Sequence, residues 1–405
     1  MRGGTVAVVG GSVAGCALAS AAARAGADEV VVLERTQGRL ADRGLGLCIH
    51  DGRAAELAAT GALPAGIAAH PLTRRRWIVR DDAAAGPAGR VFWEQPFPFH
   101  SYHWGLLWRG LREAMPASVV YRQGAAVTGV ADTGAGAEVR TAGGRAEPYD
   151  LVIGADGYRS VVREAVCPGS RPVYAGYVCW RGNLDARRLE GLGNEGVPSD
   201  AVSTVCFPGG SCVIYPIPGP DGPRVNWVLY ATPPNSGRLP FADPTSFPPG
   251  RVTEELTEHL GTLLDREFPP HWARVLALTE PADTYVQPIY DLEAARTTAR
   301  RLLLAGDAAT VVRPHNTSGV AKALQDASAF EEAWRGAGTW SELLDAYRAA
   351  RGPAGREMVA LARRLGRGQV EQTPDWATMN HREVESWWQQ LLDGAADIGG
   401  QAMRP

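Results

Sequence analysis

The sequence predicts an α/β fold in which a parallel sheet is interleaved with an antiparallel sheet and followed by C-terminal helices. Three observations predict it. A strand, a glycine turn, a helix and a second strand follow one another within residues 5–34. Two further buried strands end in short turns at residues 154–157 and 306–307. Strand-like runs separated by Gly and Pro fill residues 171–230, which is typical of an antiparallel layer.

The composition is that of a globular protein with a substantial core. The chain has 405 residues, of which 45% are hydrophobic and 21% charged, and its formal net charge is −3. This balance attracts neither nucleic acid nor an anionic membrane surface, and no apolar stretch is long enough to span a bilayer. The six cysteines form no C-x-x-C pair and no zinc-like spacing with His. We therefore expect a cytoplasmic monomer or homodimer without a metal site.

The N-terminal segment has the pattern of a complete βαβ unit. Residues 5–9 are a buried strand, residues 13–25 an Ala-rich helix and residues 29–33 a second strand. Glu34 stands 19 residues after Gly15, close to the ~20 that is typical of a Rossmann dinucleotide-binding unit.

Each position of the glycine turn has a physical reason for its residue type. Gly10 permits the tight turn, and Gly15 permits close contact between helix and strand. Ser12 replaces the usual middle glycine, and a serine is tolerated at this position only if its φ is negative. The helix N-terminus offers N–H groups to a pyrophosphate. The alternative, a βαβ unit without nucleotide, is disfavoured by the acid that follows the second strand. The predicted contacts are Gly10, Ser12, Val13, Ala14, Gly15, Glu34 and Arg35.

Two aspartates follow buried strands. Asp156 comes after residues 149–153, and Asp307 comes after residues 301–305. An acid at the carboxyl end of such a strand faces the ligand crevice. The alternative for each is to cap the helix that follows. Two acids in equivalent positions favour a ligand contact for at least one of them.

The glycine turn, the Asp-Gly motif and the Gly-Asp motif together resemble those of the class A FAD-dependent aromatic hydroxylases, the flavoprotein family that includes p-hydroxybenzoate hydroxylase. The resemblance runs from residue 4 to about residue 335. A narrower resemblance, to the subgroup of 2,6-dihydroxypyridine 3-hydroxylase and its relatives, rests on residues 174–182, 215–219, 225–227 and 313–327.

The resemblance implies a single-component monooxygenase with FAD as cofactor, NADH or NADPH as reductant and O2 as co-substrate. Its substrate would be an electron-rich aromatic or heteroaromatic small molecule, a phenol or a hydroxypyridine-like ring, hydroxylated through a C4a-hydroperoxyflavin. The same fold also permits epoxidation, decarboxylative hydroxylation or Baeyer–Villiger oxidation of a natural-product intermediate. The sequence does not choose among these reactions.

The resemblance also implies roles for residues of this chain. His315 would be the general base that deprotonates a phenol, because imidazole titrates near neutral pH. Its alternative is a structural role, and the alternative for Arg43 is a solvated loop position. Further cofactor contacts would come from Arg43, Arg109, Asp156, Asp307, Pro314, Ser318 and Gly319. Substrate contacts would come from Trp180, Tyr215, Asn226 and Trp227.

The predicted domains are interleaved along the chain. The FAD-binding domain comprises residues 1–72, 103–170 and 284–345, the substrate domain residues 73–102 and 171–283, and a helical region residues 346–405. A helix over residues 340–365 is expected to break near residues 352–353. Apolar residues at helical spacing between residues 382 and 393 predict a helix that packs on the body of the protein.

Three other classes share parts of this pattern. A flavin-dependent halogenase needs a lysine beside its substrate, and Lys322 lies in the wrong segment. An NAD-dependent dehydrogenase leaves Asp307 unexplained. A non-catalytic FAD-binding protein is compatible with the motifs, and consumption of NAD(P)H with a substrate distinguishes it from an enzyme.

Overall fold

Two β-sheets, one of six strands and one of nine, carry the fold. The computed structural model describes residues 3–38, 40, 46–83, 86–192, 197–234, 247–248 and 250–395, and the backbone of residues 397–398 and 401–402. The strands are β1 (Thr5–Val9), β2 (Glu29–Glu34), β3 (Gly46–His50), β4 (Ala69–Val79), β5 (Arg90–His103), β6 (Val119–Gln123), β7 (Val127–Asp132), β8 (Ala137–Thr141), β9 (Ala146–Tyr149), β10 (Leu151–Gly154), β11 (Val173–Asp185), β12 (Ala201–Phe207), β13 (Gly210–Ile217), β14 (Arg224–Ala231), β15 (Tyr285–Glu293), β16 (Thr298–Ala299), β17 (Leu302–Leu304), β18 (Thr310–Val311), β19 (Asp397–Ile398) and β20 (Gln401–Ala402). The helices are α1 (Val13–Ala25), α2 (Asp51–Ala59), α3 (Trp104–Glu113), α4 (Val161–Val166), α5 (Glu254–Glu267), α6 (Pro270–Ala277), α7 (Gly319–Gly336), α8 (Trp340–Gly366) and α9 (His381–Leu392).

The six-stranded sheet has the order β16-β17-β10-β1-β2-β6. β1 pairs in parallel with β2 and β10, and β10 pairs in parallel with β17. β1 and β10 are buried almost throughout, because the sheet is covered on both faces. Parallel strands end at the same edge, so the turns after β1, β10 and β17 lie together. The predicted α/β class, with parallel and antiparallel sheets and C-terminal helices, is confirmed.

The nine-stranded sheet has the order β18-β15-β11-β14-β13-β12-β4-β5-β3. The strand-like runs predicted in residues 171–231 are β11 to β14, and they pair antiparallel. β12 also pairs in parallel with β4. The predicted segments 1–72 and 284–345 assign β3 and β15 to the FAD-binding domain, whereas both strands pair within the larger sheet.

The alternation of side chains divides the larger sheet into two faces. Trp180 and Trp227 lie on the face that packs against α5 and α6, in one hydrophobic core with Trp272. Arg181 and Val228 are their neighbours in sequence, form a cross-strand pair and lie on the opposite face. That opposite face lines the cavity described below.

α8 is one continuous helix with Pro353 inside it, so the predicted break near residues 352–353 is wrong. An interior proline costs about 3 kcal/mol because a backbone hydrogen bond is lost. Packing on both sides of the proline offsets this cost, since Tyr347 and Val359 are both 1% exposed. The chain continues from α8 into a π-helical segment, Arg367–Glu371.

α9 packs on the body of the protein, as predicted. Its N-terminus carries a capping box formed by Asn380 and Glu383. Trp388 is 7% exposed and packs edge-on against Trp77, with ring centroids 5.5 Å apart. All six cysteines of the chain are free and buried. Within the described residues, no helix is long and apolar enough to cross a membrane.

Substitution of Trp388 by Ala should lower the free energy of unfolding by about 3–5 kcal/mol, because it leaves a large cavity among aromatic rings. Gln389→Ala is the matched control: its side chain is exposed on the same helix, and we expect a change within about 0.5 kcal/mol. Denaturant unfolding of both variants measures the difference. A loss below about 1 kcal/mol for Trp388→Ala would show that this packing is weak.

Candidate active site

A cavity of about 590 Å³ lies between the two sheets. One end is formed by the turns at the edge of the parallel sheet, including Gly10 and Glu34. The other end is formed by the inner face of the larger sheet, including Tyr215 and Tyr230. Residues from distant parts of the sequence therefore line one continuous space.

The glycine turn after β1 has the geometry of a phosphate-binding turn. Gly10 has φ +100°, and a Cβ there would lie 2.5 Å from the carbonyl oxygen of Ala155. A Cβ on Gly15 would lie 1.8 Å from the carbonyl oxygen of Gly10, so the helix approaches the turn too closely for any side chain. Ser12 has φ −79°, as a serine at this position requires, and its side chain does not cap α1. The first N–H groups of α1 therefore have no side-chain cap from Ser12.

Glu34 and two aromatic residues hold this turn in place. The Glu34 carboxylate is buried and accepts hydrogen bonds from Gly11 N and Thr36 N, both at 2.8 Å. Trp108 Nε1 and Tyr121 Oη both donate to the carbonyl oxygen of Gly11, at 2.9 Å each. Neither Trp108 nor Tyr121 is predictable from the sequence, because no local pattern connects α3 or β6 to the turn.

The two aspartates at strand ends have different environments. Asp156 caps α4: its carboxylate accepts from Ser160 Oγ at 2.5 Å and from Val161 N at 2.7 Å. This is the alternative considered for it, although Asp156 also lines the cavity. Asp307 lines the cavity and makes no side-chain hydrogen bond with the described residues. Both acids line the cavity, but only the Asp307 carboxylate accepts no hydrogen bond from the described residues.

Asp307 faces the cavity but is otherwise surrounded by protein. This burial raises the pKa of the Asp307 carboxyl above its usual value, and the ammonium of Lys322 opposes the shift. Lys322 is 1% exposed and lies 3.7 Å from Asp326, which also accepts from Gly306 N. The side chain of Lys322 therefore lies behind the acidic turn, close to Asp326.

The segment between β18 and α7 forms another wall. Pro314, His315, Thr317 and Gly319 line the cavity, whereas the side chain of Ser318 bonds to the Asn316 carbonyl. Thr317 has φ +54°, a strained conformation that costs a β-branched residue about 1–2 kcal/mol. The strained turn directs the N-terminus of α7, with its positive dipole end, toward the cavity.

The inner face of the larger sheet forms a polar and aromatic chamber. Strand alternation places Arg75, Tyr215, Tyr230 and Arg181 on this face, and Gln369 reaches it from the π-helical segment. Of these five residues, only Tyr215 is among the substrate contacts predicted from the sequence. Arginines inside strand-like runs were the available signal for Arg75 and Arg181, because a charge in a buried strand needs a partner.

Three predicted substrate contacts do not line this chamber. Trp180 Nε1 donates to Leu256 O at 3.1 Å and Trp227 Nε1 to Thr279 Oγ1 at 2.8 Å, both on the far side of the sheet. Asn226 is 1% exposed, and its Oδ1 accepts from Gly46 N at 2.8 Å, so it holds β3 against β14. The prediction selected the correct strands but the wrong face for the tryptophans.

His315 lies in the chamber, but its environment does not suit a general base. Its Nε2 is 2.8 Å from Tyr177 Oη, and its ring lies 4.4 Å from that of Tyr230. Burial lowers the pKa of His315 to about 3, assisted by the charges of Arg313 and Arg75. An imidazole that resists protonation accepts a phenol proton poorly. The assignment of His315 as a base near neutral pH stays a prediction, and these surroundings favour a neutral, hydrogen-bonding imidazole instead.

One predicted arginine contact does not line the cavity, and a second cannot be placed relative to it because it lies outside the described residues. Arg109 is exposed on α3 and is not among the residues that line the cavity. Arg43 lies outside the described residues. Val13, Ala14 and Arg35 do line the cavity, while Gly15 lies beneath the turn.

Comparisons with known proteins agree with this geometry. A family model described as an FAD binding domain matches residues 253–362. The chain is 29% identical over 341 residues to 2,6-dihydroxypyridine 3-monooxygenase of Paenarthrobacter nicotinovorans, which covers 81% of this chain and 82% of that enzyme. It is also 29% identical over 343 residues to 3-amino-4-hydroxybenzoate 2-monooxygenase PtmB3 of Streptomyces platensis, which covers 80% of this chain and 77% of that enzyme.

The solved structure of 2,6-dihydroxypyridine-3-hydroxylase from Arthrobacter nicotinovorans has a TM-score of 0.79 and 25% identity to the chain, covering 93% of this chain and 95% of that one. The chain is an FAD-dependent monooxygenase, and it is similar to the class A aromatic hydroxylases. A dehydrogenase and a non-catalytic FAD-binding protein are thereby set aside. The halogenase alternative also loses support, because Lys322, the sole lysine of the sequence, does not line the cavity of this monooxygenase.

FAD fits the dinucleotide end of the cavity in the monooxygenase. The crowded glycine turn leaves room for a ligand only on its open side, where Ser12 and Glu34 line the space. Asp307 offers an unused carboxylate, and α7 offers its N-terminus. These are the groups that would hold the cofactor.

Substitution of Asp307 by Ala should raise the Kd for FAD by about 10–100-fold, because a hydrogen bond to a charged group contributes about 1.5–3 kcal/mol. Titration of apoprotein with FAD, followed by flavin fluorescence, measures this Kd. Asp283→Ala is the control, since that acid is exposed and does not line the cavity. An Asp307→Ala protein with a Kd within twofold of wild type would show that this acid does not contact the cofactor.

The lowered pKa of His315 predicts a pH-dependent stability. An unfolded histidine titrates near pH ~6.5, whereas folded His315 stays neutral until about pH 3. Unfolding therefore takes up a proton between these values, and the free energy of unfolding falls by roughly 1 kcal/mol for each pH unit of acidification.

His315→Gln should flatten this dependence between about pH 4 and pH 6, whereas His381→Gln, on the surface, should not. Denaturant unfolding at several pH values tests the difference. Equal slopes for wild type and His315→Gln would show that His315 is readily protonated in the folded protein.

Proposed function

We propose that this monooxygenase hydroxylates an electron-rich aromatic or heteroaromatic ring, of the phenol or hydroxypyridine class, with NADH or NADPH and O2. The observation that carries the proposal is the continuity of the cavity, from Gly10 and Glu34 to Tyr215 and Tyr230. The same cavity contains a site for a dinucleotide cofactor at one end and a chamber for an aromatic ring at the other. The names of two relatives, which act on a dihydroxypyridine and an aminohydroxybenzoate, support the substrate class.

Reduced FAD, when bound, supplies the activated oxygen for the ring, and the protein must position the ring and exclude water. Apolar side chains line the chamber between its polar groups, among them Phe97, Val202, Val213 and Val228. Their surfaces favour a planar ring over water. The aromatic rings of Tyr215 and Tyr230 offer faces or edges for packing against it.

His315 serves as a hydrogen-bond donor to the substrate. The guanidinium of Arg313 lies 5.7 Å from the centre of the Tyr177 ring, and we assign the Tyr177 hydroxyl as the donor in its 2.8 Å contact with His315 Nε2. Nε2 then accepts, so the neutral imidazole carries its proton on Nδ1. A donor of this kind stabilises negative charge on a ring oxygen without changing its own protonation state.

Spectroscopy and turnover of the wild-type enzyme test the proposal. Purified protein should show oxidised-flavin bands, and a panel of hydroxypyridines, phenols and hydroxyquinolines should include rings that stimulate NAD(P)H oxidation. Under ¹⁸O2 the product of such a ring should carry one labelled oxygen. Labelled product without a new ring hydroxyl would instead indicate epoxidation or Baeyer–Villiger oxidation. A cytoplasmic location and a monomeric or homodimeric state also belong to the proposal.

The role of His315 makes a separate prediction. His315→Phe and Tyr177→Phe should each lower the product formed per NAD(P)H oxidised by about tenfold, the equivalent of one hydrogen bond to a charged group. The FAD content should stay at the wild-type level. His381→Phe is the surface control. Unchanged product yield in His315→Phe would remove this residue from the mechanism.

A further inference from the structure

Two arginines in the substrate chamber have no carboxylate partner among the described residues. Arg75 is 7% exposed; its Nε donates to Thr204 Oγ1 at 2.9 Å, and its guanidinium stacks on Trp77 at 4.1 Å. Arg181 donates through Nη2 to the Gly46 carbonyl at 3.3 Å. Arg181 Nε is buried and has no acceptor within the described part of the chain.

Elsewhere the fold neutralises or satisfies its buried arginines. Arg313 forms ion pairs with Asp291 at 2.8 Å and Glu371 at 2.5 Å. Arg163 donates to backbone carbonyls, including that of Ala308 at 3.1 Å. A buried guanidinium without such partners is costly, since its charge has lost water and gained no counter-charge. Burial lowers the pKa of Arg75 to about 10.

The rest of the chamber also presents donors. Gln369 is 1% exposed, accepts weakly from Arg75 at 3.5 Å, and its Nε2 has no acceptor in the described residues. His315 is neutral. The acids among the described lining residues, Glu34, Asp156 and Asp307, belong to the turns at the dinucleotide end.

We propose that the substrate is an anion whose carboxylate or ionised ring hydroxyl binds Arg75 and Arg181, with Gln369 as a further donor. This rests on the proposed function, because it takes the chamber to be the substrate site. A guanidinium presents paired N–H groups that match an oxyanion, and the stack on Trp77 fixes the plane of Arg75. The two charges then select the ionised form of the ring.

Binding to the wild-type, FAD-loaded enzyme tests the carboxylate form of this proposal. The probes are acid and amide pairs of equal shape: 4-hydroxybenzoate with 4-hydroxybenzamide, and 6-hydroxynicotinate with 6-hydroxynicotinamide. Perturbation of the flavin absorbance gives each Kd. At least one acid should bind at least about tenfold more tightly than its amide, which corresponds to one hydrogen bond to a charged group.

A second probe tests the ring hydroxyl. 4-Nitrophenol absorbs differently as phenol and phenolate, so its spectrum reports its protonation state when bound. Binding to two guanidinium groups should lower its pKa by about one unit or more. A preference for acids alone identifies a carboxylate, and a lowered nitrophenol pKa alone identifies a ring oxyanion. Absence of both effects, or absence of binding by every anionic probe, overturns the proposal.

Variants connect the effect to the arginines. Arg75→Met and Arg181→Met should each reduce the preference for the anion by about tenfold. Arg74→Met is the matched control: Arg74 precedes Arg75 on β4, faces away from the chamber and pairs with Asp200 at 3.2 Å. FAD content and the unfolding midpoint identify any misfolded variant. If Arg74→Met and Arg75→Met lose the preference equally, the assignment to Arg75 is wrong.

The binding readout separates this proposal from the proposed function. Anion preference without NAD(P)H oxidation by any ring would contradict the hydroxylase proposal and leave the anion site standing. Hydroxylation of acids and amides that bind with equal Kd would contradict the anion site and leave the hydroxylase proposal standing.

Discussion

The common direction of β1, β10 and β17 is the constraint on which the site depends. Parallel strands in register deliver their following turns to one edge, so the glycine turn, Asp156 and Asp307 meet although the sequence separates them widely. The cavity extends from this edge because the larger sheet lies opposite it. A slip of one residue in β10 or β17 would turn their buried side chains to the other face and displace both aspartates.

The two ends of the cavity differ in charge. Carboxylates gather at the dinucleotide end, where ribose hydroxyls of a nucleotide and backbone amides of the protein's own turns are their counterparts. Donors gather in the chamber, where Arg75 and Arg181 carry charge. His315 is kept neutral there by its burial and, to a lesser extent, by the charges of Arg313 and Arg75, which lower its pKa. A neutral imidazole is the state of histidine that adds a donor here without adding a third repelling cation. The electrostatics of the chamber are therefore mutually consistent.

Sequence reasoning succeeded where one short segment contains its own signal. α1 has the predicted bounds, and β11 to β14 fall in the predicted runs, because glycine turns and apolar runs define them. It failed to predict that Arg181, and not Trp180, faces the cavity. The sequence shows that side chains alternate between the two faces of a strand, but which face is covered depends on where α5 and α6 pack. The pKa of His315 is lowered by burial first and then by Arg313 and Arg75, and both the burial and the proximity of Arg75 arise only in the folded protein. The predicted break in α8 was wrong because tertiary packing outweighs the local free-energy cost of Pro353 in the helix.

The burial of the cysteines bears on how the enzyme survives its own chemistry. An oxygen-activating flavoenzyme releases hydrogen peroxide whenever reduction of the flavin is not followed by transfer of oxygen to the substrate. Peroxide oxidises the thiolate and not the thiol. Cys48 lines the cavity itself, yet burial raises its pKa to about 12, and burial raises that of Cys16, which lies under the glycine turn, to about 12 as well. Both sulfurs therefore stay protonated at physiological pH, which makes these two thiols poor targets for an oxidant generated next to them.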